Sequence, residues 1–244
     1  MKEEAQQRQL PQSLASPSLS RTWPWYRLEG AWRWALPSAL LLGLVGLWEG
    51  LVRLLDVPRW LLPPPSAIAA ELYASKALLW GHTLVTLKEV LSGFVLAFTL
   101  GVGLALAIAY SRTMERSLYP LVIASQTVPI IAIAPLLLIW VGYGLWSKVI
   151  VVAIISFFPI VVNMVDGLKS VDPDMVNLMR TLGASRWQLF TKLQVPSSLP
   201  LLFSGTRIAI AVSVIGAVIG EWVGASAGLG YLMVVSAPYF LTAR

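Results

Sequence analysis

The chain has 244 residues, 57% of them hydrophobic and only 12% charged, with a mean hydropathy of +0.74. That is about half the charge of a soluble domain and excludes a water-soluble fold; the natural unit is instead the membrane span of about 20 apolar residues. The net charge of +6 sorts by side of the membrane, as argued below, and lends no support to a nucleic-acid partner, while the absence of cysteine excludes disulfides and thiolate metal sites.

Residues 1–30 read as a disordered cytoplasmic tail. Positions 1–22 are polar, with Glu3 and Glu4 where a cleaved signal would carry basic residues. Trp23, Trp25, Tyr26, Trp32 and Trp34 then suit the headgroup layer before a first span. Five apolar segments follow, at about 34–55, 84–110, 118–140, 147–165 and 199–221. Each is predicted to be a helix, because backbone groups in lipid must be satisfied within the segment. The expected fold is therefore an all-α polytopic membrane protein, with the first span in 31–60 and the remaining core in 61–244.

Charges inside the spans are costly and are read one by one. Glu49, Lys88 and Glu89 lie near outer span ends, where snorkelling or pairing at the interface accounts for them. In the third span Gln126, Pro129 and Pro135 loosen the backbone ladder and offer a polar group to a pathway; Pro159 in the fourth reads the same way. In the fifth, Arg207 is close enough to the inner boundary to reach water. Glu221 joins a glycine ladder, Gly216, Gly220, Gly224 and Gly228, which permits either close static packing or helix movement.

Between the fourth and fifth spans, 166–198 form the longest inner loop. Asp172 before Pro173 predicts a helix start, and Met175, Leu178, Met179 and Leu182 recur at helical spacing. Gly183 ends that helix. Ser185 with Gln188 predicts a capping box opening a second helix, whose apolar face is Trp187, Phe190 and Leu193 and which Pro196 stops. Two short helices bent at a glycine would thus present uncovered apolar residues to the cytoplasm, so a partner is required. An amphipathic loop lying on the bilayer surface is the plainer alternative.

Lys and Arg set the orientation. With the N-terminus inside, the inner side holds Lys2, Arg8, Arg21, Arg27, Arg33, Arg112, Arg116, Lys169, Arg180, Arg186 and Lys192, against Arg53, Arg59, Lys76 and Lys148 outside. No G-x-x-x-x-G-K-[ST] loop occurs, so the chain has no P-loop for a nucleoside triphosphate. Two other functional classes leave traces. Gly224-Ala-Ser226-Ala-Gly228 matches the G-x-S-x-G hydrolase pattern, and His82 falls on the same side, so an intramembrane serine hydrolase using Ser226 and His82 is one alternative. A secondary transporter would show paired ionisable groups near the midplane and internal repeats, neither of which is evident.

Gly183, nine residues, then Leu193-Gln-Val195-Pro196 resembles the cytoplasmic signature of permease subunits in binding-protein-dependent ABC importers. From about Leu61 to Phe240 the chain is similar to their nitrate/sulfonate/taurine branch, through "SQTVPIIAIAPLLLIWVGYG", "FFPIVVNMVDGLKSVDP" and "GEWVGASAGLGYL". The resemblance implies a MetI-like permease fold and an ATPase-coupling role for Asn177, Leu178, Met179, Gly183, Ala184, Ser185, Trp187, Phe190, Leu193 and Pro196. Asn177, Leu178 and Met179 replace the family's usual Glu-Ala-Ala, so docking would rest on shape and apolar packing. It further implies a translocation pathway near Gln126, Pro129, Pro135, Pro159, Gly220 and Glu221.

The partners it implies are an ABC ATPase subunit carrying ATP and Mg, a second permease subunit in a homodimer, an extracytoplasmic solute-binding protein and membrane lipid. No cofactor or metal is expected on this chain. The expected location is the inner membrane of a prokaryote. The substrates expected first are riboflavin or a thiamine-precursor pyrimidine, then sulfonate, taurine, nitrate or bicarbonate. Such permeases carry one more span after the "GLGYL" loop, so a sixth span is expected beyond Arg244.

Overall fold

The computed structural model describes residues 32–240 and 242–243. The tail expected on the cytoplasmic side, with Trp23, Trp25 and Tyr26, lies outside the described residues, as do the side chains of Trp32 and Trp34.

The helices in chain order are α1 (Trp32–Leu54), α2 (Pro65–Ala74), α3 (Lys76–Tyr110), α4 (Arg112–Ser125), α5 (Ile130–Val141) and α6 (Leu145–Lys169). They continue as α7 (Pro173–Thr181), α8 (Arg186–Leu189), a π-turn (Phe190–Gln194), α9 (Val195–Gly224) and α10 (Leu229–Ser236). No strand occurs among the described residues.

The core is a three-helix seam of α3, α6 and α9, and small residues set its geometry. A Cβ at Gly93 would meet Val152, and one at Gly101 would meet Ile160. Both pairings advance together along the two chains, so α3 and α6 run parallel. A Cβ at Gly216 would meet the Val152 backbone at 3.1 Å, and one at Gly220 the Lys148 backbone at 3.5 Å, so α9 runs antiparallel to α6. Such close backbone approach substitutes in lipid for the hydrophobic drive that water would supply. Ala97, Ala105, Ile108, Ile160, Val161, Val165 and Ala209 fill the seam.

Because α3 and α6 are parallel neighbours, α4 and α5 must return the chain from one end of the bundle to the other. They are bent by 99° at a short break. The third apolar segment is thus a broken span and not the continuous helix expected over 118–140. Pro129, extended at φ −64° and ψ 119°, carries no N–H to continue the ladder. Among the described residues four helices are long and apolar enough to cross a membrane, or five when this bent pair is taken as one crossing. The sequence underestimates lengths: α3 spans 35 residues, roughly 50 Å at 1.5 Å per residue, and begins well before position 84.

The first helix stands apart, with only 6% of its apolar window buried. Its tie to α2 is polar. Glu49 accepts from the Ser66 N–H at 3.0 Å and the Ser66 hydroxyl at 2.7 Å, and pairs with Arg53. The expected interfacial pairing of Glu49 is present, and it also caps the first turn of α2.

Gly205 offers a direct test of the seam. A Cβ there would lie 2.5 Å from the Pro159 carbonyl oxygen and 2.7 Å from Asn163 Cβ. Gly205→Leu should therefore lower stability by about 1–3 kcal/mol through overpacking, read as a lower thermal midpoint in detergent. An unchanged midpoint would show that α6 and α9 do not meet there.

Candidate functional site

Two regions at opposite ends of the bundle concentrate the chemistry. The first lies where α3 ends and the α6–α9 connection turns. Asp172 accepts from the Asp174 N–H at 2.8 Å, starting α7 with Pro173 in its first turn. At its far end the Ala184 N–H donates to Met179 O and the Gly183 N–H to Arg180 O, the two bonds of a Schellman motif. Gly183 takes φ +79°, a conformation closed to proline and strained for other L-residues. Ser185 and Gln188 then form the capping box from both sides, at 2.8 and 3.2 Å.

Three expectations for this loop need correction. Pro196 does not stop the second helix, which runs unbroken over Arg186–Gly224. The π-turn before it accommodates the ring: the Val195 N–H reaches back five residues to Phe190 O, and the ladder opens where Pro196 has no donor. Phe190 is not exposed but 8% accessible, packed edge-on to Tyr110 at 5.5 Å; Leu193 is half-buried. The exposed apolar surface is instead Met175, Leu178, Leu182 and Trp187, with Leu182 78% and Trp187 61% accessible. Tyr110, at the end of α3, was not visible as a member of this site because its contact with Phe190 spans two apolar segments.

This end is tied to the return helix. Lys169 pairs with Glu115 at 2.9 Å, and the Tyr119 hydroxyl donates to Asp166 at 3.3 Å. A cleft of about 270 Å³ separates Val176 and Arg180 of α7 from Tyr110 and Phe190.

At the opposite end lies a buried polar cluster that sequence reasoning largely missed. His82, Thr86 and Glu89 follow one another along one stripe of α3, at helical spacing. Glu89 is 1% accessible and pairs with Lys148 of α6 at 2.9 Å. Glu89 and Lys88 were expected to share an interfacial role, and Lys148 was counted as an outer loop charge. Lys88 is exposed, but Glu89 and Lys148 form an ion pair inside the bundle. The pair falls in register with the Gly93–Val152 and Gly101–Ile160 approaches, so the same parallel packing that closes the seam brings the two charges together.

Glu221 of α9, also 1% accessible, joins them and adjoins the Glu89 carboxylate. Its Oε1 accepts from the Thr86 hydroxyl at 2.6 Å, and its Oε2 accepts from the Gly230 N–H. Leu229 N–H donates to Thr86 Oγ1 and Gly228 N–H to His82 Nδ1, both at 2.9 Å. Three consecutive amides at the start of α10 are therefore satisfied by three side chains from α3 and α9. Gly228, at φ +121°, is required twice over, since a Cβ would run into the Glu221 carboxylate.

The pathway candidates do not gather at one place. Gln126 and Pro129 sit at the break in the third segment and are exposed; Pro135 is exposed on α5; Pro159 packs against α9; Gly220 and Glu221 belong to the buried cluster. His82 gives its Nδ1 to Gly228 and stacks on Tyr231 at 6.0 Å, while Ser226 borders a separate cavity with Tyr143 and Lys148. No hydrogen bond joins Ser226 to His82 among the described residues, so the G-x-S-x-G match has no dyad behind it. Among the same residues no group of three His, Asp or Glu side chains could hold a metal ion.

Residues 97–243 match the family model described as the binding-protein-dependent transport system inner membrane component. The chain is 44% identical over 195 residues to the formylaminopyrimidine transport permease protein ThiX of Halalkalibacterium halodurans, covering 80% of this chain and 78% of the relative. It is 39% identical to the riboflavin transport system permease protein RibX of Chloroflexus aurantiacus, over 85% of this chain and 78% of that one. To the taurine transport system permease protein TauC of Escherichia coli it is 30% identical, covering 86% and 81%. The crystal structure of an amino acid ABC transporter with histidines shares the fold, with a TM-score of 0.52 at 17% identity, covering 71% of this chain and 91% of that one. With an all-helical bundle, apolar crossing helices and these relatives, the chain belongs to the multi-pass inner-membrane permease subunits of binding-protein-dependent ABC importers.

Proposed function

We propose that this permease passes a flat nitrogen heterocycle, of the formylaminopyrimidine or riboflavin class, into the cytoplasm. The observation that carries the substrate class is the gradient of identity: 44% and 39% to the pyrimidine and riboflavin permeases, against 30% to those for aliphatic sulfonates and taurine. Two copies form the membrane unit. A separate ATPase hydrolyses ATP with its Mg, and a binding protein delivers solute to the outer face. The N-terminus is cytoplasmic, in keeping with the excess of Lys and Arg at the end that holds Arg112, Arg116, Lys169, Arg180, Arg186 and Lys192.

The ATPase is taken to seat on the Schellman bend. Met175, Leu178, Leu182 and Trp187 stay exposed among the described residues, and the capping box and Gly183 hold them at a defined angle. In place of the Glu-Ala-Ala contact, recognition is apolar. ATP-driven closure would pull this bend and alternate access to the pathway.

The substrate class is tested by uptake. Cells lacking the transporter, supplied with this chain and the ATPase and binding protein encoded with it, should accumulate labelled formylaminopyrimidine or riboflavin. Unlabelled taurine should not compete. Uptake of taurine with no uptake of either heterocycle would reverse the assignment.

A further inference from the structure

The coupling reading places the energy input at Trp187, yet the helix that begins there ends at the buried cluster. Arg186–Gly224 is one continuous helix of 39 residues, roughly 58 Å at 1.5 Å per residue. Glu221 rides near its far end and grips the first turn of α10 through the Gly230 N–H. Thr86 ties the same turn to α3 twice, accepting from Leu229 N–H and donating to Glu221. His82 holds Gly228 N–H. The turn between α9 and α10 also borders a cavity of about 340 Å³, with Tyr143 and Lys148 across from Ser226.

We infer that Glu221, Thr86 and His82 are positioning residues that lock the α9–α10 turn to the long helix, so that movement begun at the ATPase end opens or closes the cavity beside Ser226. This rests on the coupling reading above. A helix alone would move its own end; the turn beyond it follows only if its amides are held. The cluster supplies that grip with no freedom left over: each of the three amides has one acceptor, each acceptor sits on α3 or α9, and Glu221 uses both oxygens. The groups facing Glu221 are Thr86 and Glu89 from α3, with Lys148 from α6 beside Glu89, so the grip is itself buttressed by the ion pair.

The chain has no cysteine, which allows single-site labelling. In the complex with its ATPase in vesicles, Ser226→Cys is labelled by a membrane-impermeant maleimide, nucleotide-free and after trapping with ATP and vanadate. Thr181→Cys, on the exposed last turn of α7, is followed in parallel with a permeant maleimide. Both labelling rates should change on trapping. Adding Thr86→Val should abolish the change at Ser226→Cys and leave that at Thr181→Cys, and Thr86→Ser, which keeps the hydroxyl, should restore it. Glu221→Leu, which leaves Gly230 N–H without its side-chain acceptor, should act as Thr86→Val does.

A change at Ser226→Cys that survives both Thr86→Val and Glu221→Leu overturns the lock while leaving coupling intact. So does a rate there that never depends on nucleotide while Thr181→Cys responds. If Thr181→Cys is itself indifferent to trapping, the coupling reading fails, and the lock with it.

Discussion

Gly183→Pro should abolish solute-stimulated ATP hydrolysis while the protein still reaches the membrane. The native φ of +79° lies on the opposite side of zero from the value near −65° that the proline ring imposes. The same substitution removes the N–H that donates to Arg180 O, one of the two bonds closing α7. The second helix would then leave the bend in another direction, carrying Trp187 away from the surface formed by Met175, Leu178 and Leu182. The control is Gly183→Ala. Nothing lies within 4 Å of a Cβ at this position, so alanine meets only the intrinsic penalty of a left-handed residue, about 1–2 kcal/mol, and should retain much of the activity. Hydrolysis is measured in vesicles with binding protein and solute, and membrane level by immunoblot. Full stimulation in the proline variant would remove the bend from the coupling route.

Breaking the ion pair of Glu89 and Lys148 should be the most destabilising single change in the bundle. Lys148→Met leaves two adjoining carboxylates, Glu89 and Glu221, buried without their cation; removing one partner of a buried pair costs about 3–5 kcal/mol. Glu89→Leu leaves the ammonium unpaired at similar cost. The double variant Glu89→Leu with Lys148→Met should recover most of the loss, because a well-packed apolar pair needs no compensation. Thermal midpoints of the three variants in one detergent decide it. Strictly additive losses would show that the two side chains do not interact.

Local structure was readable in the sequence wherever its cause was local. Asp172 before Pro173, Gly183, and Ser185 with Gln188 each act within four residues, and each forms the cap that its chemistry dictates. The apolar segments were visible because lipid exposure demands continuous hydrophobicity. Pro196 misled because its usual effect, ending a helix, was offset by a π-turn that no residue type announces. The bend at 126–129 was hidden for a related reason: Pro129 was read as loosening one helix, whereas it separates two.

The buried cluster was out of reach for a different reason. Glu89 and Lys148 meet across 59 positions, and Lys148 sat where a loop charge was expected. One signal was present. His82, Thr86 and Glu89 recur at helical spacing in an otherwise apolar segment and continue into Gly93, Ala97 and Gly101. A polar stripe that turns into a small-residue stripe on one face marks where another helix must arrive.

The π-turn at Phe190–Gln194 also acts as a rotary setting. Successive residues of an α-helix are about 100° apart around the axis, so a surplus residue in a regular ladder would turn everything before it by about that angle relative to everything after; the wider π-turn takes up that residue without the rotation. Trp187 and Glu221 sit on the same rod, and the azimuth between them is kept only while the surplus residue stays in the wider turn. Deleting Lys192 would let a regular ladder close with Trp187 still beside Tyr110 and Glu221 in its place, whereas closing the ladder over all the residues present would swing Trp187 by about 100°. The stretch from Phe190 to Gln194 thus holds an angle as much as a length, and that angle sets how the two ends of the long helix face one another.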